Sequence, residues 1–406
     1  MGASQPTRVW LSLALASSIL ACGDAPLDDG SVEVRDSAGI RITTSSAPVE
    51  DAVVWSVPAQ PSLTIATDPV DSRIVFHWVR GAVRLSDGRI VVVSESSHDL
   101  KFFNADGSFD RTAAGPGGGP GRLSSAYQLD RLPGDTLVVS ERSGTRTWFG
   151  SDGGFVRRTQ ADRAALSAVL PPEHSPGVVY FVPPTHGVMA ANAAGMPPVG
   201  QRTRFPKPHY LLVDGQDPPR LLDWFPGVEV FLDRYGQAGL ALFANNAYMA
   251  AGGDPPRVYL GDSAVYDVHV YDTAGNLVLL IRDAVPPDPI RSEDIALERA
   301  AFFDFGRASN NEQAYTRYVE AMPLPATKPA FDRLVVDSEG HLWVKEYGSF
   351  TAAPVRYRIY APSGERIATA FVPGRVRVYD IGIDYVLGVM SDADYAESIV
   401  LYELKR

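Results

Sequence analysis

The 406 residues are 45% hydrophobic, enough apolar material for a sizeable core, and carry a formal net charge of −11 with no run of Lys or Arg. An acidic body without a concentrated basic face excludes a nucleic-acid partner. The single cysteine, Cys22, excludes an intrachain disulfide, and a chain of this length has core enough without one.

The chain opens with a short polar segment, Met1 to Arg8, followed by an apolar run of secretory type, Val9 to Ala21. That run falls short of the about 20 apolar residues a membrane-crossing helix needs. Ile19-Leu20-Ala21-Cys22 comes next, and the sequence turns polar at once with Gly23-Asp24. These residues predict a signal peptide over 1–21, a lipidated Cys22 and a flexible tether over 22–31. The stretch resembles a bacterial lipobox, although Leu20 departs from the small residues commoner there; an ordinary signal peptide with a chance cysteine is the alternative. Gly23 after the cysteine, by the same resemblance, permits the outer membrane. The expected location is therefore the cell envelope, reached by export through the inner membrane, with a lipid anchor in the outer membrane or facing the periplasm. More than one acyl chain makes such an anchor stable, at roughly 0.8 kcal/mol per buried CH₂.

Val32-Glu33-Val34-Arg35 and Ile40 to Thr44 flank the turn Asp36-Ser37-Ala38-Gly39 and read as a hairpin, and Val53 to Val57 and Ser62 to Ile65 read as further strands. From Gly81 to Thr112 four short β-branched and aromatic runs are joined by tight turns, Asp87-Gly88 and Asp106-Gly107 among them. Asp-Gly supplies the positive φ that hairpin turns demand, and a four-stranded antiparallel meander of this size is one blade of a β-propeller. The unit recurs. Leu137-Val138-Val139 follows Ile90-Val91-Val92 by 47 residues (137 − 90), and Gly153 follows Gly107 by 46 (153 − 107), a spacing in the range of propeller blades. Looser copies are His269 to Leu277, Val335 to Val344 and Arg358 to Glu365.

Grouped in this way, the strands give blades at about 75–113, 124–159, 178–222, 243–283, 330–372 and 376–404. The third and fourth are the least marked, so five or seven blades stay open. The third is expected from Gly177 to Val182, Gly187 to Ala190 and His209 to Gly215, with the proline-rich Met196 to Pro208 an extended surface loop. The sixth has only three strands of its own, and N-terminal strands are expected to complete it, since a ring must not leave a bare edge. The fold class is all-β: a six-bladed β-propeller of four-stranded antiparallel blades over 32–406.

One stretch breaks the pattern. Around 288–323 the period becomes helical: Ser292-Glu293-Asp294 starts one helix through Phe302, and Ser309-Asn310-Asn311-Glu312 reads as a capping box for a second, stopped by Pro323. This helical hairpin either packs on the flank of one blade or caps the central channel, where Phe302, Phe303, Phe305 and Tyr315 would line a ligand surface.

The Asp-Gly turns at 87–88 and 106–107, the connector Gly115 to Gly121 and the strand Leu342-Trp343-Val344 together resemble the six-bladed, NHL-like propeller lipoproteins of bacteria, over about residues 32 to 404. The resemblance implies architecture rather than activity.

Catalytic motifs are not evident. Gly115 to Gly121 lacks a Gly-Lys-Ser/Thr ending and contains two prolines, which rules out a phosphate loop. No Gly-x-Ser-x-Gly elbow occurs. The seven histidines are scattered, and Asn104 to Asp110 lacks the glutamate of a calcium loop. Residues placed early in the innermost strands face the channel mouth, which makes Arg80, Asp130, Asn246, Asp332, Arg333 and Asp380 the candidate ligand or metal residues. Their carboxylates and Asn246 could hold Ca²⁺, as the resemblance to lactonase-like propellers implies, or could pair with one another across the channel. Two functions follow from this. One is a binding or scaffold module for an envelope protein, peptide or glycan, without catalysis or cofactor; the other is a Ca²⁺-dependent lactonase-like hydrolase or lyase at the channel mouth.

Overall fold

The computed structural model describes residues 32–406 except 47, 49–51, 69, 185, 194, 214–215, 309–310, 349–350, 352 and 393–394. The expected signal peptide, Cys22 and the tether lie outside the described residues, as do the side chains of Phe302, Phe303 and Phe305.

The N-terminal strands are shared among three sheets. β1 (Val32–Ser37) and β2 (Ile40–Ser45) form the expected hairpin, with Ser37 opposite Ile40. β3 (Val54–Trp55) and β4 (Leu63–Ala66) follow. The first complete meander is β5 (Val79–Arg84), β6 (Ile90–Ser94), β7 (Asp99–Phe103) and β8 (Phe109–Ala114), paired in that order. β9 (Ala126–Leu132), β10 (Thr136–Glu141), β11 (Thr145–Phe149) and β12 (Phe155–Gln160) repeat it.

A short helix α1 (Arg163–Val169), capped by the Asp162 carboxylate on the amides of Ala164 and Ala165, leads to a small pair of β13 (His174–Ser175) and β16 (Asn192–Ala193). The third meander is β14 (Val179–Val182), β15 (His186–Ala190), β18 (Pro206–Val213) and β19 (Gln216–Pro226). The proline-rich stretch before it is not all loop: β17 (Arg202–Thr203) pairs with β20 (Val230–Leu232), which pairs with β21 (Ala238–Leu240) in a separate three-stranded sheet. β22 (Ala247–Gly252), β23 (Arg257–Asp262), β24 (Asp267–Tyr271) and β25 (Leu277–Asp283) form the fourth, whose outer edge takes β2 in parallel.

Helices α2 (Ser292–Ala308) and α3 (Glu312–Ala321) come next, the second entered through Asn311 without a side-chain cap. β26 (Phe331–Val336), β27 (Leu342–Glu346), β28 (Val355–Tyr360) and β29 (Arg366–Val372) carry β3 in parallel on their outer edge. β30 (Val376–Ile381), β31 (Tyr385–Ser391) and β32 (Glu397–Glu403) end the chain, and β4 pairs antiparallel with β32, Ile65 opposite Ile399. Of the four N-terminal strands, therefore, only β4 joins the last sheet. The others cover the edges of two earlier sheets, where unpaired backbone groups would otherwise stand open.

The sheets pack face to face. β5 touches β9, β9 touches β14, β14 touches β22, β22 touches β26, β26 touches β30, and β30 touches β5. Each middle strand is consequently buried on both sides, which is why β6 reads Ile-Val-Val-Val without alternation: Val91 and Val93 pack toward β9 and β10, and Ile90 and Val92 toward β31 and β32. This is a nearly all-β architecture of the propeller type. Gly81 shows how close the sheets come, since a Cβ there would lie 2.6 Å from that of Leu129.

The helical insertion packs against the small β17–β20–β21 sheet. Tyr318 of α3 is buried, donates to the carbonyls of Phe231 and Leu240 at 3.1 Å, and packs with Phe231, Leu242, Phe243, Val319 and Met322. The helices thus share a core with the small β17–β20–β21 sheet. No helix of the described residues is long and apolar enough to cross a membrane.

Candidate functional site

Bulges interrupt the first strands of three sheets, β5, β26 and β30. The register slips between Val79 and Gly81, between Phe331 and Arg333, and between Val378 and Asp380, leaving Arg80, Asp332 and Tyr379 as the extra residues. A bulge re-aims a side chain without ending the strand.

The six sequence candidates do not converge. Arg80 pairs with Glu95 (Nε to carboxylate 2.6 Å), which Arg142 also engages at 3.1 Å, and both guanidinium groups face the Tyr127 ring. Burial pushes the Glu95 carboxyl up, but the two arginines outweigh it and leave it below its ordinary value. Asp130 accepts from the Gln128 amide at 3.0 Å and has Oδ2 sealed from solvent with no partner among the described residues. Burial raises its pKa to about 7. Asn246 donates its backbone N–H to the Ser263 hydroxyl at 2.9 Å. Asp380 accepts from the Arg84 amide at 2.9 Å and the Tyr385 hydroxyl at 2.8 Å; burial raises its pKa against the pull of both bonds.

The hydrogen bonds of these groups run to partners on their own or a neighbouring sheet. Among the described residues no three His, Cys, Asp or Glu side chains stand close enough to hold a metal ion, so Asp130, Asp332 and Asp380 do not fit that role together.

Asp332 and Arg333 are the two that share a site. They open onto a pocket of about 260 Å³ between the β26–β29 and β30–β32 sheets, lined also by Lys345, Tyr357, Arg375, Arg377 and Ser391. β-sheet register builds its wall: Arg333 lies directly opposite Lys345, and Lys345 directly opposite Tyr357, a row running across three strands. Like charges placed opposite each other in a sheet are destabilising. Asp332 relieves one of them, holding the Lys345 ammonium at 2.6 and 2.8 Å. Burial pushes the Asp332 carboxyl up while Lys345 pulls it down. Arg333 donates one Nη to the Val378 carbonyl at 2.7 Å, and its guanidinium lies 5.4 Å from the Tyr379 ring centre.

Two donors in this wall have no acceptor among the described residues: Arg333 Nε and the Tyr357 hydroxyl, both buried. Burial raises the Tyr357 pKa well above its usual value, so the hydroxyl keeps its proton as a donor. Arg375 enters from the connection between the two sheets in the left-handed region, φ 60°, and its carbonyl accepts from the Ser391 amide at 3.1 Å. Arg377 reaches the Glu397 carboxylate at 3.4 Å and the Val79 carbonyl at 3.3 Å. The lining thus holds four cations and one carboxylate in a chain whose net charge is −11.

Lys345, Tyr357, Arg375 and Arg377 were not singled out from the sequence. A signal existed for the first: the turn Asp337 to Gly340 fixes the hairpin register and so places Arg333 against Lys345.

No protein-family model and no curated protein matches this chain. Solved structures do resemble it in fold. A calcium-binding protein, regucalcin, from Agrobacterium tumefaciens is 12% identical, with 87% of this chain and 97% of that one covered and a TM-score of 0.41. A gluconolactonase from Xanthomonas campestris is 12% identical, with 88% and 98% covered and a TM-score of 0.39. Virginiamycin B lyase from Staphylococcus aureus is 8% identical, with 81% and 94% covered and a TM-score of 0.35. At these values the likeness carries no argument, and both the fold and the site stand on the chain's own geometry.

Proposed function

We propose that the chain is a closed six-bladed propeller, lipid-anchored at the cell envelope through Cys22, that binds an anionic ligand in the pocket between its last two sheets. The unbroken series of inner-strand contacts and the pairing of β4 with β32 support the ring. The anchor rests on the sequence around Cys22; replacing that cysteine with Ala should release the protein from the membrane fraction.

One observation carries the ligand reading. Arg333 and Lys345 face each other across a strand pair, with a buried guanidinium Nε and a buried tyrosine hydroxyl beside them lacking acceptors among the described residues. Buried donors without partners cost about 1–3 kcal/mol each, and a carboxylate entering the pocket would satisfy both while offsetting the paired positive charges. A pocket of about 260 Å³ suits a small group rather than a long chain. Of the expected envelope ligands, those bearing a carboxylate fit.

Thermal melts of the mature protein with glutarate, against sodium chloride of equal ionic strength, test this reading. A ligand at a hundred times its dissociation constant stabilises by about 2.7 kcal/mol. A rise with glutarate beyond that with chloride is expected; identical melts would overturn the reading.

A further inference from the structure

Beyond the pocket lining, an exposed aromatic side chain precedes a residue that one lining arginine contacts. Trp78, immediately before β5, is 58% exposed and stacks on His77 with ring centroids 4.8 Å apart. Its backbone sits at φ 53°, a region that side-chain-bearing residues seldom adopt. Val79, the next residue, ties this pair to the pocket lining. The Val79 carbonyl accepts from the Tyr379 hydroxyl at 2.7 Å and from Arg377, and its N–H donates to Glu397 at 2.8 Å, the carboxylate that Arg377 also reaches.

An exposed indole held in place by buried neighbours offers a flat apolar face, and the pocket offers positive charge and hydroxyl acceptors. We propose that the ligand is a uronic-acid-bearing oligosaccharide, with one sugar carboxylate held by Arg333, Lys345, Arg375 and Arg377 and the adjoining ring laid on Trp78. This rests on the anion-binding reading above.

Three features favour a sugar acid over a plain carboxylate or an acidic peptide. Asp332 and Ser391 stand among the cations and accept hydrogen bonds from ring hydroxyls, which a simple dicarboxylate lacks. The indole face matches the apolar C–H face of a pyranose, and a stack of this kind adds about tenfold in affinity. The pocket admits about one ring, so a second must lie outside it, where the proposal sets it on Trp78.

The test is calorimetric titration of the mature protein with trisaccharides of galacturonate, glucuronate and mannuronate, alongside neutral maltotriose, tri-glutamate and glutarate. Trp78→Asn serves as the variant, because Asn tolerates a left-handed backbone and cannot stack. The expected result is that one uronate trisaccharide binds about tenfold tighter than glutarate, and that Trp78→Asn removes this gain while leaving glutarate binding unchanged. Uronates no tighter than glutarate, or a gain untouched by Trp78→Asn, would overturn the sugar proposal and leave the anion reading standing. Tighter binding of tri-glutamate than of every uronate would overturn it in favour of a peptide. Failure of every anion, glutarate included, would overturn both.

Discussion

Arg333 and Lys345 stand directly opposite each other on β26 and β27. In an ordinary sheet such a pair is avoided, and here Asp332, turned to the same pocket by a bulge, neutralises only one member. The row continues to Tyr357, whose hydroxyl is buried without an acceptor among the described residues. The wall is therefore organised around charge and donors that the fold itself leaves incompletely matched.

Tyr357→Phe isolates that mismatch. The substitution keeps the ring, which packs against Trp343 with centroids 6.0 Å apart, and removes only the hydroxyl. Losing an unpartnered buried donor should leave the melting temperature unchanged or raise it, by up to about 1–2 kcal/mol of stability. Affinity for glutarate should fall about tenfold. A destabilised variant with unaltered binding would mean that the hydroxyl serves the fold.

Arg375→Gly makes a second separation. A residue with a Cβ at φ 60° carries backbone strain of about 1–2 kcal/mol, and Gly gives some of that back in unfolded-chain entropy. The variant should fold with stability unchanged or raised by up to about 1 kcal/mol, while its anion binding weakens. Chemical denaturation read beside the glutarate titration would show both effects.

The repeat was legible because hairpin turns and β-branched runs are local signals. Asp87-Gly88 and Asp106-Gly107 fix two turns in the first meander, and both glycines adopt positive φ, 90° and 84°. The destinations of β2 and β3 in other sheets were not legible. Their pairings join residues some 240 to 320 positions apart, as Ile42 with Leu280 and Val54 with Thr369, and nothing in a six-residue apolar run names its partner. The site was half legible: position early in an inner strand found Asp332 and Arg333, whereas Arg375 and Arg377 enter from the connection and start of the following sheet.

Asp130 predicts a pH dependence. Its side chain accepts one hydrogen bond, and its other oxygen is sealed from water, so burial raises its pKa to about 7 from an unfolded value near 4. An acid whose pKa rises on folding favours the folded state fully only below the unfolded value, and that contribution is lost as pH climbs from about 4 through about 7. Asp130→Asn cannot ionise and keeps the oxygen that Gln128 contacts. Its melting temperature should exceed that of the unmodified protein at pH 8 and match it at pH 4; equal differences at the two pH values would show that ionisation of Asp130 plays no part.

Gly81 is required by approach rather than by turn geometry. A Cβ there would meet Leu129 Cβ at 2.6 Å and the Leu129 amide nitrogen at 2.9 Å, both on β9. Backbone cannot swing aside as a long side chain can, so Gly81→Val should force β5 from β9 and cost about 1–3 kcal/mol, as overpacking of tight cores does. Urea unfolding at constant m-value would measure it.

Deleting residues 32–66 tests whether the sheets depend on the N-terminal strands. Ile65 on β4 is buried with Val79, Ile90, Val92, Leu387, Val389 and Ile399, at the packing surface between the first meander and the last sheet. Trp55 on β3 is buried with Trp343, Tyr357 and Val400. Removing both strands strips each of these cores of a large side chain and bares the outer edges of β32 and β29. If β4 holds the first and last sheets together, the truncated protein should lose its single sharp calorimetric transition and bind a hydrophobic dye. Deleting only residues 32–45 is the comparison: β1 and β2 lie on the outer edge of the β22–β25 sheet, away from that junction, so this shorter deletion should keep one cooperative transition at a lower temperature. A 32–66 deletion that melts cooperatively at the full-length temperature would show that the sheets hold together without β4.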